Sequence, residues 1–372
     1  MFLQRALLRR GPIRVSVPQK LASLLSATLV VAVACSPARS QPTLTAAPTP
    51  TTAPTQTLTL GSTPIAIKSG EPWLLYHWYQ DGKTTKDLFL VRLDGSDAHP
   101  IVTDVPGEHK AATWSPDGDT IAFTMVVAAT PYGSIWTANA DGSAAKLLFD
   151  GGRDCVGVFH PSWSPDGTKL AMVCYPNDVT ASIAILDIAS KALTTLVTVT
   201  LPEFLDNTPR WSPDGASIAF PILHWAPAGD RLDGSLVAVV PAAGGRVDRL
   251  TTFDTFMSSP DWRADGEELV MNSYDLGNIQ ATDQPSNVYA VKLDGTGVRQ
   301  LTHSSVDGTM RITVPHWAPD GTRIYVSIAN SIPPSTTVDC VRPASMDAGG
   351  GEPVLLWTSG RCAAGVELRP TP

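Results

Sequence analysis

From about residue 64 onward the chain is written in short apolar or alternating runs separated by turn residues, the pattern of β-strands and not of helices. "TIAFTM" begins at Thr120, "KLAMVC" at Lys169, "SIAFPI" at Ser217, "ELVMNS" at Glu268 and "RIYVSI" at Arg323. After a variable loop come alternating runs ("SIWTANADG", "SIAILDIAS", "SLVAVVPAAGG", "NVYAVKLDG"), then a short "KLLF", "TLV", "RLTTF" or "QLTH". With the stretch that leads into each unit, this predicts four strands per unit, joined largely by tight turns.

Each unit opens on a pentapeptide. "WSPDG" stands at Trp114, Trp163 and Trp211, "WRADG" at Trp262 and "WAPDG" at Trp317, at spacings of 49, 48, 51 and 55 residues. A near-constant period of this size marks repeated supersecondary units. Within the pentapeptide, Pro presets φ for a turn, Asp bonds nearby backbone N–H groups and Gly takes a positive φ beside the returning strand. The indole at the strand end supplies about 150–250 Å² to bury, so the five tryptophans are read as structural repeat residues.

Four-stranded units carrying "P-x-WSPDG", then "IAF", then "LT", resemble the repeats of TolB-type β-propellers, which are related to WD-repeat folds. The resemblance covers about residue 64 to 372 and implies an all-β fold with blades set radially around a channel. It predicts a six-bladed β-propeller over residues 65–372. Five blades hold the pentapeptides, and the first in sequence holds "WLLYHWY" at Trp73, "DLFLVRLDG" at Asp87 and "HPIVT" at His99. Its innermost strand has two possible donors, "TPIAIKSG" at Thr63 or "GVELRP" at Gly365. The second is favoured, because closure by both ends of the domain removes the open sheet edge.

Residues 1–35 form a different region. Five basic residues and no acidic one precede the apolar "LASLLSATLVVAVA", and Cys35 follows Ala34 in a sequence that looks like a lipobox. This region is read as a lipoprotein signal peptide with Cys35 as the lipidation site; cleavage to a freely secreted protein and an uncleaved anchor are the alternatives. Residues 36–64 are Thr, Pro and Ala with one charge, Arg39, and are read as a disordered, semi-rigid tether.

Charge narrows the partners. The net charge is −8, and setting aside the five basic residues of the signal leaves 22 Lys and Arg against 35 Asp and Glu, a net −13. Nucleic acid is excluded as a partner on that balance. Four cysteines remain in the exported part. Mirror placement about the turn at Pro165 and Asp166 brings Cys155 within a couple of positions of facing Cys174, so a disulfide is expected there, and Cys340 is expected to pair with Cys362; buried free thiols are the alternative.

No catalytic signature emerges. There is no G-x-S-x-G, no H-E-x-x-H and no Cys-x-x-Cys, and the seven histidines are scattered over different blades. The "DG" pairs at Asp94, Asp141 and Asp294 fit hairpin turns better than calcium loops. No catalytic residue, metal or cofactor is assigned. The loops that enter the innermost strands gather at one channel mouth, where His109, His160, Phe204, Phe256, Met310 and Arg311 are the candidate partner-binding residues. The sequence therefore reads as a monomeric, non-catalytic binding or scaffold propeller, lipid-anchored to the outer face of a bacterial membrane. By analogy with TolB its partner is an envelope protein or a peptidoglycan-associated one. The alternative is an extracellular enzyme acting on a glycan or lactone at the channel.

Overall fold

The computed structural model describes residues 67–68, 70–79, 86–127, 132–205, 209–226, 232–274, 286–303, 310–330, 341–357 and 364–370. The proposed signal region with Cys35, the whole tether (residues 36–64), Cys340 and Cys362 lie outside these residues. Among those described, the architecture is a six-bladed propeller of four-stranded blades with essentially no helix.

The first blade contains β1 (Trp73–Tyr79), β2 (Lys86–Arg92) and β3 (His99–Ile101). Blade 2 is β4 (Glu108–Trp114), β5 (Thr120–Val126), β6 (Gly133–Asn139) and β7 (Lys146–Phe149). Blade 3 is β8 (Gly157–Trp163), β9 (Lys169–Asn177), β10 (Thr180–Asp187) and β11 (Leu193–Thr200). In blade 4 the inner strand is split into β12 (Glu203–Phe204) and β13 (Arg210–Trp211), both pairing with β14 (Ser217–Trp225), followed by β15 (Leu232–Pro241) and β16 (Asp248–Arg249). Blade 5 is β17 (Met257–Trp262), β18 (Glu268–Tyr274), β19 (Ser286–Lys292) and β20 (Arg299–Gln300). Blade 6 is β21 (Met310–Trp317), β22 (Arg323–Asn330), β23 (Val341–Asp347) and β24 (Val354–Leu355).

The last strand, β25 (Ala364–Leu368), pairs antiparallel with β1 and becomes the innermost strand of blade 1, so the second of the two donors closes the ring. Arg369 secures this closure. Its guanidinium is buried and donates to the carbonyls of Gly118 (2.8 Å), Lys68 (2.7 Å) and Glu71 (3.4 Å) and to the Asp119 carboxylate (3.2 Å). One side chain thereby joins the end of β25 to the approach to β1 and to the first turn of blade 2.

Among the described residues, the apolar cores lie between blades. Trp114 packs with Trp73 and Leu75 of the first blade, Trp163 with Ala122 and Ile135 of the second, and Trp211 with Val173 and Ile185 of the third. Trp262 meets Ala219 and Val237 of blade 4, and Trp317 meets Val270 and Val288 of blade 5. Each repeat tryptophan therefore locks its blade onto the preceding one. At the sixth interface Trp357 packs with Leu74 and Val366.

The pentapeptide turns behave as the residue types require. Ser115 O accepts the Gly118 N–H at 2.8 Å, and the same bond recurs from Gly167, Gly215, Gly266 and Gly321. The Asp117 carboxylate accepts from Ser115 Oγ and from the Asp119 N–H. The "DG" pairs are likewise hairpin turns: Asp94, Asp141 and Asp294 each accept a backbone N–H and a hydroxyl from the residue two positions on. Cys155 and Cys174 are joined in a disulfide that ties the entry of β8 to β9.

Candidate functional site: the two mouths and the axis

The inner strands run from a loop mouth, where each blade is entered, to a turn mouth, where the pentapeptides sit. All four described inner strands of blades 2, 3, 5 and 6 are interrupted by a bulge, at Lys110/Thr113, Phe159/Ser162, Ser258/Asp261 and Thr313/His316. At each bulge a residue other than glycine takes positive φ: Ala111 (46°), His160 (58°), Ser259 (50°) and Val314 (51°). For a β-branched residue such as Val314 this conformation is strained, by about 1–3 kcal/mol. In three of the four the next residue is proline, which has no N–H to lose at an interrupted ladder. At His160 the freed N–H is recovered by Thr124 Oγ1 of the preceding blade, at 3.0 Å.

Beyond the bulge, the residue just before the repeat tryptophan approaches the axis. These residues are Thr113, Ser162, Arg210, Asp261 and His316, and in blade 1 the corresponding place belongs to Glu367. Their side chains, unlike those of the tryptophans, differ from blade to blade, and several meet. Arg210 Nη1 lies 3.4 Å from Glu367 Oε2, and Arg210 Nε lies 3.8 Å from Asp261 Oδ1. Glu367 Oε1 also accepts from Thr113 Oγ1 at 2.6 Å and from the Trp114 N–H at 3.2 Å. Asp261 Oδ2 accepts the Trp317 N–H at 2.8 Å and lies 3.7 Å from His316 Nδ1. Arg210 Nη2 is 3.4 Å from both ring nitrogens of His316, so the guanidinium lies over the imidazole face.

Blades 1 and 4 are opposite in a ring of six, so the Arg210–Glu367 pair spans the axis. The channel is bridged at this level by a charged girdle. Burial alone would raise the Asp261 carboxyl, but the His316 hydrogen bond, the charges of His316 and Arg210 and the Trp317 N–H outweigh it and hold the carboxyl below its usual range.

At the loop mouth the sequence-derived candidates separate. Phe204 is buried and stacks on Tyr175 at 5.4 Å, and the Tyr175 hydroxyl donates to Leu205 O at 2.8 Å. Phe256 is buried after a short 3-10 turn. His109 is buried edge-on to Phe123, with Nδ1 3.9 Å from Asp87 Oδ1. These three side chains are spent on packing: His109 lies in β4, Phe204 in β12, and Phe256 directly precedes β17. His160 is half-buried beside Phe159. Met310 and Arg311 begin β21, and their side chains lie outside the described residues.

Sequence reading placed Lys110 and His160 at this mouth but missed His77 and Lys86, which the structure brings beside them. Burial first, and then the charges of Lys86 and Lys110 and the nearby His160, push the His77 imidazole down to about 3. Burial lowers Lys86 as well; Lys110 adds to that effect and Glu108 opposes it. Lys110 Nζ is 2.9 Å from Glu108 Oε2. Among the described residues no group of three or more His, Cys, Asp or Glu is arranged to hold a metal ion.

Comparison with known proteins agrees with this architecture. Residues 155–331 match the TolB beta propeller domain family. The chain is 27% identical over 176 residues to the uncharacterized protein Atu1656 of Agrobacterium fabrum, covering 43% of this chain and 58% of that protein. It is 29% identical over 190 residues to the uncharacterized peptidase YuxL of Bacillus subtilis, covering 45% of this chain and 27% of that protein. The chain thus spans less than two thirds of either relative. Among solved structures, TolB from Acinetobacter baumannii superposes with a TM-score of 0.57 at 19% identity, over 82% of this chain and 66% of that one. A putative TolB from Agrobacterium tumefaciens gives 0.53 at 19% identity, over 77% and 87% respectively. Residues 155–331 thus match the TolB beta propeller domain family, and the described residues share the propeller fold of these TolB structures.

Proposed function

We propose that the chain is a non-catalytic binding or scaffold module of the bacterial cell envelope. Lipid on Cys35 holds it to the outer face of a membrane, and the Thr/Pro tether carries the monomeric propeller away from that surface. It recognises an envelope protein or a peptidoglycan-associated protein at the loop mouth. The observation that carries this reading is the girdle: Arg210 and Glu367 join across the axis, so among the described residues charged side chains bridge the channel at this level, and the loop mouth beyond it is a face to which all six blades contribute. The fold by itself hosts many functions, so the argument rests on the site.

The test is capture from crosslinked envelopes with the whole chain as bait. Because Phe204 and Phe256 are buried, changing them would report folding; Lys110→Glu with His160→Glu alters the loop mouth instead. Glu267→Lys, an exposed change beside a pentapeptide turn, serves as control. A partner lost with the first variant and kept with the second supports the reading, and equal capture by both overturns it.

A second reading, an enzyme acting on an extracellular glycan or lactone, is favoured by the Asp261–His316 pair at 3.7 Å in the girdle, an acid–base couple in form. It requires that the wild-type chain turn over a substrate from a glycan and lactone panel and that Asp261→Asn abolish that turnover.

A further inference from the structure

In blade 2, Thr124 pairs with Lys110, the residue just ahead of that blade's own bulge, and its hydroxyl reaches the bulge of blade 3 to accept the His160 N–H at 3.0 Å. The ladders put Asn272 at the same position in blade 5, paired with Ser258, and Ser327 in blade 6, paired with Thr313. Val173 holds it in blade 3, paired with Phe159, so the strand itself does not demand a polar residue there. Leu269 and Met271 of β18 pack toward blade 4, and Val270 packs toward blade 6. Alternation therefore turns Asn272 toward blade 6. There Val314 occupies the bulge place that His160 has in blade 3.

Thr124 and Asn272 are both fully buried, but they differ in their bonds. Neither Oδ1 nor Nδ2 of Asn272 meets a hydrogen-bonding group of the protein among the described residues. A carboxamide carries two donors and an acceptor oxygen, and each one left bare in a core loses its hydration with nothing in return. The neighbouring backbone offers no partner at Ile312, whose N–H and carbonyl are already bound by Ser286 Oγ. The same interface holds a second bare group, the Trp317 indole N–H. Its counterparts in Trp114 and Trp262 donate to carbonyls of the preceding blade, Glu367 O at 3.3 Å and Arg210 O at 2.9 Å. Ser327 repeats the pattern one interface on, 1% exposed with its hydroxyl unpartnered. Buried polar groups without a protein partner are met by ordered water, which typically makes about three hydrogen bonds.

We propose that the interface between blades 5 and 6 contains a binding site for a resident water molecule, held by the Asn272 carboxamide and by the backbone N–H of Val314. The water does at this seam what the Thr124 hydroxyl does directly between blades 2 and 3. Water suits the place because it donates and accepts at once and is neutral. An ion would give up its hydration among Val270, Val288 and Ile312, and an apolar guest would leave the amide bare. The site lies within the wall of the ring, so it stands independently of the binding reading above.

Crystallography of the full chain, at a resolution that shows ordered water, tests the assignment. A density peak is expected at about 2.7–3.2 Å from both an Asn272 side-chain atom and Val314 N. Asn272→Thr installs the blade 2 residue, whose hydroxyl should take the Val314 N–H directly; the peak should vanish and the Val314 amide should stay protected from hydrogen exchange. Asn272→Leu should also remove the peak but leave that N–H bare, so the Val314 amide should exchange about tenfold faster, the scale of one buried hydrogen bond, while amides of β9 and β10 keep the wild-type rate. Thr124→Val should give the matching acceleration at His160. An Asn272 amide bonded directly to protein groups, a site that is dry, or density belonging to an ion or larger solute would overturn the proposal. So would equal exchange at Val314 in Asn272→Thr and Asn272→Leu. If Asn272→Leu does not fold, the wild-type density and Asn272→Thr decide the matter, and envelope capture still judges the binding reading separately.

Discussion

Replacing Arg369 by methionine keeps most of the side-chain volume and removes the fork that fastens β25. Two of its bonds are short and end on carbonyls, Lys68 at 2.7 Å and Gly118 at 2.8 Å. The 3.4 Å bond to Glu71 and the bond to Asp119, a largely exposed carboxylate, add little. Hydrogen bonds to a charged group are worth about 1.5–3 kcal/mol each. Two of them sum to about 3–6 kcal/mol; the range found when one partner of a buried charged contact is removed, about 3–5 kcal/mol, sets the expected destabilisation. For a domain of this size each kcal/mol lowers Tm by roughly 2 °C, so a fall of roughly 6–10 °C is expected in calorimetry. Because the guanidinium is 2% exposed, added salt should change the difference little. Arg369→Lys keeps the charge but not the planar fork and should recover only part of the loss. Hydrogen exchange should locate the damage, with amides of β25 and β1 opening before those of β9 and β10. A Tm for Arg369→Met within about 2 °C of wild type, or uniform loosening of all blades, would refute the argument that this side chain closes the ring.

Further outcomes follow from the same structure. Trp262→Ala should cost about 3–5 kcal/mol in urea denaturation, because it removes an indole buried between blades 4 and 5, whereas Trp262→Phe should cost less. The double change Cys155→Ser and Cys174→Ser should lower stability by about 2–4 kcal/mol, the range for a loop of this length, given a sequence separation of 19. Asp261 is held below its unfolded pKa, so its contribution is complete above about pH 4 and disappears as pH falls through the folded value; Asp261→Asn should flatten the acid limb of the stability–pH curve. His77 acts over a higher window. Its folded value of about 3 lies below the unfolded 6.5, so stability should decline as pH falls from about 6.5 toward 3, and NMR titration should find the imidazole neutral at pH 5.

The strand framework was legible because the repeat is written in residue types with unambiguous roles: Gly118 and its four counterparts for the turn, Trp114 and its counterparts for the interface, apolar runs for the second strand. Cys155 and Cys174 were placed by the same symmetry, since both flank one turn. The girdle escaped notice for the complementary reason. Attention to what the repeats share passes over the position where they differ, and Arg210, Asp261, His316 and Glu367 become neighbours only once the ring is closed. A comparison of the residues preceding each tryptophan would have found Thr, Ser, Arg, Asp and His in succession, a conspicuous run of polarity on innermost strands. Phe204, Phe256 and His109 failed as surface residues because residue type reports a preference for contact without saying whether the contact is with a partner or with the protein's own sheet ends. The basic group was hidden because Lys86 and His77 sit in the blade that lacks a pentapeptide, where the register could not be read.

The borrowed inner strand of blade 1 also constrains how the protein comes into being on the ribosome. Leu74 pairs with Leu368, so the stretch of the propeller that is synthesised first is the last to find its partner. Until that late arrival, the leading sheet presents a raw margin inviting stray strands from other chains. A chain stalled in translation would betray itself by that margin, and a shut wheel certifies that everything between the two segments has been made.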